Sequence, residues 1–598
     1  MSQELNNKLC TTKVIWRLTD LYSSQSDPQL QKDILHCQTV ATHINTEYSG
    51  RVASLTPEEI YALVEKLEEI AAKKGRISTF AFLQFSTNTK DPEAGAFLQK
   101  VREIGSKINK ETIFFELEWN QLSNKQAQSL LSETVLAKYK HYLAGMRRYA
   151  PHLLSRTEEG LLIEIAPVGR SSWTNLFDKV MGHLKFGKQK RTEEEVLSDL
   201  YSPDRDIRKN AAKDLTAGLK SQLHILTHIS NTLLADKMID DGIRKYASWV
   251  SSMNLYNELP DSTVNTLVQT VTSRYDLPQR YYRLKKSLLN YEELHDYDRY
   301  APLPNLPDRH IPWPECKKIV LQAFHEFSPE IGEIADLFFT KNWIHAPIME
   351  GKRGGAFAHP CTPDVHPYIL VNYTGNIRDV STVAHELGHG VHQYLAAGQG
   401  YFNSDTPLVL AETASVFAEL LVFKNQLALI DGEQEQGAFI AQKLESIFAT
   451  VFRQIAMNRF EDLSHKSRRD MGEISSEQLS RFWLKTQKEM FADSVTLSDD
   501  YAIWWSYIPH FLSTPGYVYS YAFGELLVLS LYQIYLKEGD AFVKKYLELL
   551  AAGGSQSPDI LLKPFEIDLN DPAFWGNGLE LIDEMLSTLE SFVKHTPQ

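Results

Sequence analysis

Along most of this chain apolar residues recur at intervals of three and four, the spacing that lines one face of an α-helix. That periodicity leaves little room for anything but a mainly helical architecture. In segment 56–75, Thr56 reads as an N-cap, Pro57 as the first helical residue and Glu59 as the third, a capping box. Ile60, Leu63, Val64, Leu67, Ile70 and Ala71 follow as the buried stripe, and Gly75 is read as the stop. A second box opens at Thr192 with Glu195, followed by Val196, Leu197 and Leu200, with Pro203 beyond. No fixed-period repeat is present, so a solenoid is not expected.

Two stretches break the pattern. Prolines at 302, 304, 307, 312 and 314 predict an extended connector over 301–314. Residues 351–373 turn Gly-, Pro- and β-rich, and Tyr368, Ile369, Leu370, Val371 and Tyr373 predict a strand. The expected fold is mainly α with one small sheet in its middle.

The 598 residues carry 62 Lys and Arg against 76 Asp and Glu, a net charge of −14. That balance argues against nucleic acid or an anionic membrane surface as the main partner. The four cysteines (Cys10, Cys37, Cys316, Cys361) show no metal-finger spacing and suit a reducing compartment. The first twenty residues lack the apolar core of a secretory signal, and no apolar stretch is long enough to span a bilayer. A cytoplasmic protein is expected.

The most specific motif follows the strand. Asp379 reads as an N-cap, and Val380, Val383, Ala384, Leu387, Val391 and Leu395 form a helical stripe. On that helix His385 and His389 lie one turn apart on one face, and Glu386 follows the first of them. H-E-x-x-H in this setting points to two imidazole ligands of one Zn²⁺ and a carboxylate beside it to accept a proton from water. The continuation that would add a third histidine is absent, because position 395 is Leu. The third ligand is then a Glu from a following helix, the gluzincin type. Glu412 is favoured, since Ala411, Thr413, Ala414 and Ser415 around it let two helices approach closely. Glu419, seven residues on and on the same face, is the alternative ligand or a support behind one. His392 is read as a packed or supporting imidazole. Three ligands leave one coordination position open, as a catalytic zinc requires. His359, Cys361 and His366 have irregular spacing and are not read as a second metal site.

These residues resemble oligoendopeptidase F, within the thimet oligopeptidase-like zinc metallopeptidases. The likeness is carried by G-K-R-G-G-A-F-A at 351–358, the run from His366 to Tyr394, A-E-T-A-S at 411–415 and Y-V-Y-S-Y-A-F-G at 517–524. W-R-L-T-D-L-Y at 16–22 and the stretch 202–212 extend it toward the N-terminus. The resemblance implies a two-lobed helical shell around a deep channel, short peptides as substrates and Glu412 as third ligand. It divides the chain into an N-terminal helical region, 1–195, and a catalytic region, 196–598.

Hydrolysis of a peptide needs an activated water, an acid for the leaving amine and donors for the oxyanion. Glu386 is assigned the proton transfers. By resemblance, His510, Tyr521 and Tyr517 are catalytic donors on a glycine-containing loop and Tyr519 a substrate contact. The loop is one residue shorter than in thimet-type members. If 517–521 is helical, Tyr517 and Tyr521 share a face; if extended, all three tyrosines do. Trp504 and Trp505 read as packing. A strand over 366–373 at the sheet edge would pair with an extended peptide, assigning substrate contacts to His366 and Tyr368, and Gly354 and Gly355 would permit close approach. The expected activity is zinc-dependent cleavage of internal bonds in short unfolded peptides. The rivals are a helical metallocarboxypeptidase, with Arg353 or Arg378 clamping the C-terminus, and a catalytically silent peptide-binding protein.

Overall fold

The structure, a computed structural model, describes residues 2–166, 168–303 and 310–595. Helices dominate, and among the described residues the strands form one three-stranded sheet. The capping box at Thr56 is present, with the Thr56 side chain accepting from the Glu59 N–H at 3.3 Å and the Thr56 N–H donating to Glu59 Oε2 at 2.8 Å. The helix it opens runs Pro57–Thr87, through Gly75 rather than stopping there. Gly75 serves packing instead: a Cβ there would lie 2.5 Å from the Tyr401 hydroxyl. The box at Thr192 likewise opens a helix, Glu193–Asp199, whose Val196 is fully buried.

The chain divides into two compact units, each assembled from three segments: 1–150, 308–426 and 534–567 in the first, 151–307, 427–533 and 568–598 in the second. Neither has a boundary at 195/196. In the first unit the N-terminal segment is bound to the sheet. Trp16 packs edge-on against Tyr368 and His345, and the Arg17 N–H donates to the Asn342 carbonyl at 3.0 Å. In the second, the helix Arg205–Ile243 supplies Leu215, Leu219 and Leu226 to a core shared with Phe460, Trp483, Trp504 and Trp505. Of the proline-rich connector, 304–309 lie outside the described residues, and helix begins at Trp313 with Pro314 in its first turn, where a missing N–H costs nothing.

The sheet comprises β1 (Ile344–His345), β2 (Phe357–His359) and β3 (Tyr368–Leu370), in the order β1-β3-β2. β3, expected at an edge, is central. β1 pairs with it in parallel and β2 antiparallel, and the Ile369 and Val371 N–H groups donate to Trp343 and His345 carbonyls. Its backbone groups are therefore spent on neighbours, and the edge next to the motif helix belongs to β2.

Candidate metal centre and active site

The motif helix spans Ile377–Ala396 and is capped by Asn376 rather than Asp379. Asp379 is the third residue of that box. Its Oδ2 collects the N–H groups of Thr374 (2.7 Å) and Gly375 (2.8 Å), fixing the turn that joins β3 to the helix. Val380, Val383, Ala384, Leu387 and Val391 are buried as the stripe requires. The facing helix, Leu408–Ala428, carries Glu412 and Glu419.

Among the described residues, His385, His389 and Glu412 bring three donor atoms within 4.8 Å of one another. The two Nε2 atoms lie 3.5 and 3.6 Å from Glu412 Oε2. Those separations are too long for good hydrogen bonds. They suit three donors around one ion, since ligand bonds of about 2.0–2.1 Å in a tetrahedron give edges of about 3.3–3.4 Å. The donor side chains are held in place by further contacts. His385 Nδ1 contacts Glu419 Oε1 at 2.6 Å, the His389 ring is hydrogen-bonded to the Ala411 carbonyl, and the Ser415 hydroxyl donates to Glu412 Oε2 at 2.8 Å. Such outer contacts orient ligands and set the tautomer. The trio and its supports thus fit a divalent zinc-like ion in donor type, spacing and orientation.

Burial lowers His385, but its bond to Glu419 and the nearby carboxylates outweigh that and hold it up at about 9. Burial takes His389 down to about 4 despite Glu412, with the His385 charge adding to the drop. Glu386 is buried, which raises it to about 7 although His385 and the Ala358 N–H pull the other way. Ala358 lies on β2, so the edge strand touches the proposed base directly. His392 is buried, held down to about 3, and stands outside the donor trio.

Beside the trio a cavity of about 810 Å³ is lined by His389, His392, Ala358, His359, Phe82 and Tyr401, among others. Gly354 and Gly355 sit on an exposed turn before β2, Gly355 with φ +75°, and neither lines this cavity. His366 and Tyr368 are committed elsewhere. His366 stacks on Trp343 at 3.9 Å and contacts Asp20, and the buried Tyr368 donates to the Arg17 carbonyl. Arg353 and Arg378, the carboxypeptidase clamps, are exposed, with Arg353 lying over the Phe82 and Phe357 rings. The strand contact that sequence reasoning missed is Ala358. Three residues without alternation gave no strand signal.

In the second unit His510, Tyr517 and Tyr521 cluster. His510 Nε2 lies 3.3 Å from the Tyr521 hydroxyl, and the two tyrosine rings meet edge-on at 4.9 Å. The helix Tyr519–Glu538 begins between them, so Tyr517 reaches Tyr521 across its first turn. Tyr519 points the other way: it is fully buried and its hydroxyl accepts from Asn257 at 2.9 Å, which removes it as a substrate contact. Burial, with Arg453 nearby, lowers His510 and leaves it neutral. Trp504 and Trp505 are core.

The profile of Peptidase family M3 matches residues 199–581, and that of Oligopeptidase F matches 118–186. The chain belongs to peptidase family M3. It is 28% identical to oligopeptidase PepF of Bacillus subtilis over 595 residues, covering 98% of this chain and 88% of that one. It is 24% identical to an oligoendopeptidase F homolog of Lactococcus lactis, covering 98% and 99%. In structure it resembles a peptidase from Chlamydophila abortus, with a TM-score of 0.85 at 24% identity over 97% of this chain and 98% of that one. Oligoendopeptidase-F from Enterococcus faecium follows at 0.72 and 22%, over 95% and 99%. The family makes the chain a peptidase, and the neighbours carry the same mainly helical fold. No described helix is long and apolar enough to cross a membrane.

Proposed function

We propose that this peptidase is a zinc-dependent endopeptidase of short, unfolded peptides, acting in the cytoplasm. The observation that carries the reading is the convergence of His385, His389 and Glu412, with each donor side chain held by a further contact. Zinc held there supplies Lewis acidity toward a carbonyl and acidifies water. The chain's own residues do the rest. Glu386, raised to about 7 by burial, takes a proton from water and delivers it to the leaving amine. Its hydrogen bond from Ala358 fixes the carboxyl beside β2. In this reading His510, Tyr517 and Tyr521 act as neutral donors to the oxyanion, where charge develops.

The test is a series of internally quenched peptides of increasing length, incubated with and without chelator, with metal content measured on the same sample. Internal fragments from short peptides, lost with chelator and restored by zinc, are the expected result. Stepwise trimming from the C-terminus, or a folded chain that takes up no zinc, overturns the reading.

A further inference from the structure

Next to the His510–Tyr521 turn lies a polar cluster that the proposed reaction does not use. Glu461, Ser464 and His465 stand at i, i+3 and i+4 on the helix Phe452–Met471 and so share a face. Each is at most 3% exposed. Together with Phe460 and Trp505 they line a cavity of about 30 Å³, enough for a water molecule and little more. Around it Glu461 Oε2, Ser464 Oγ and His465 Nδ1 have no hydrogen-bond partner within the protein.

The other carboxyl oxygen of Glu461 is engaged. Oε1 accepts from the Gly516 N–H at 3.0 Å, a buried bond. Burial pushes the carboxyl up to about 8, so it holds the bond without a buried charge at neutral pH. Gly516 is pinned on its far side too. Its φ is +83°, and a Cβ would lie 3.2 Å from Val250 Cγ2 and 3.4 Å from Met253 Cβ. Short bonds tie this glycine's neighbours to the aromatic cluster. The Thr514 N–H donates to His510, Tyr517 to Thr514 and Ser520 to Tyr517, over 2.9–3.2 Å.

We propose that Glu461 is a positioning residue whose carboxyl holds the Gly516 turn and thereby sets Tyr517 and Tyr521 against His510. The inference rests on reading that trio as oxyanion donors. A buried N–H without its acceptor would draw the turn toward water, and a displacement of about 1 Å at donors of this kind costs about a hundredfold in rate.

The test uses the zinc-loaded full chain with Glu461→Gln, which keeps an acceptor oxygen, and Glu461→Met, which keeps length and removes it. Two quantities are read: amide hydrogen exchange over 512–521 and the separate kcat and KM for one quenched peptide. The Gln variant is expected to match the parent's exchange and to stay within about threefold of its kcat. The Met variant is expected to exchange at least about tenfold faster there and to lose about 10–100-fold in kcat with KM less affected. Gly516→Ala displaces the same turn from its other side and should reproduce both effects should the Met variant fail to fold. Unchanged exchange in the Met variant overturns the anchor, and faster exchange with unchanged kcat overturns its positioning role. A parent chain that cleaves no peptide refutes the oxyanion reading instead, while exchange still decides whether Glu461 holds the turn.

Discussion

Gly388 and Ser415 meet backbone to backbone: a Cβ on Gly388 would lie 2.6 Å from Ser415 Cα and 2.5 Å from the Ala414 carbonyl oxygen. The glycine inside H-E-L-G-H is the reason the helix bearing Glu412 comes close enough for its carboxylate to join the two imidazoles. Gly388→Ala is therefore expected to push the helices apart, cost about 1–3 kcal/mol as overpacking and weaken zinc binding. Thermal denaturation and metal titration check both.

Glu386→Gln preserves the side chain's size and leaves all three donors in place. Zinc content should stay at one per chain while kcat falls by about 10²–10⁴, the range of a lost general acid–base group. Near-normal turnover in a zinc-loaded variant would remove Glu386 from the mechanism.

Glu419 touches His385 on the nitrogen that faces away from the donor trio. Glu419→Ala should weaken zinc affinity by about 10–100-fold and leave kcat of the saturated enzyme far less changed. Competition with a chromophoric chelator measures the affinity directly.

Tyr521→Phe removes a hydroxyl and keeps the ring packed on Tyr517. A drop of about 10²–10³ in kcat is expected, the cost of one oxyanion donor. An unchanged rate would assign Tyr521 to packing alone.

Glu461 links stability to pH. Its carboxyl titrates near 4.5 in the unfolded chain and at about 8 when folded. Below 4.5 both states hold the proton; between the two values only the folded state does. Stability contributed by the neutral buried acid is full below the unfolded value and is lost as pH rises through the folded one. Glu461→Gln carries no such proton, so its thermal midpoint should rise relative to the parent between about pH 5 and 8, by the equivalent of several kcal/mol. A constant difference across that range would show the carboxyl to be ionised in the fold.

The sequence reading succeeded where signals are local. Capping boxes at Thr56 and Thr192, the stripe of the motif helix and the His385–His389 pair follow from residues within a turn or two of one another. It failed where a residue's meaning depends on a distant neighbour. Glycine ends helices, which makes Gly75 a stop by local rules, yet Tyr401, more than three hundred positions away, requires the missing Cβ. An expected edge strand offers His366 and Tyr368 as substrate contacts and the resemblance offers Tyr519, but Trp343, Arg17 and Asn257 engage them.

The amino-acid order by itself determined that the chain is helical, that one helix presents two imidazoles and a carboxylate, and that an acidic residue among small ones follows. These are consequences of short-range periodicity and side-chain size. Only the tertiary structure decided that β3 is interior, that Ala358 on β2 faces Glu386, that Glu419 backs His385, and that Glu461 grips the Gly516 turn. Each of those relations joins elements whose distance in sequence carries no period. They are set by which surfaces exclude water from one another and which buried polar groups must find a partner.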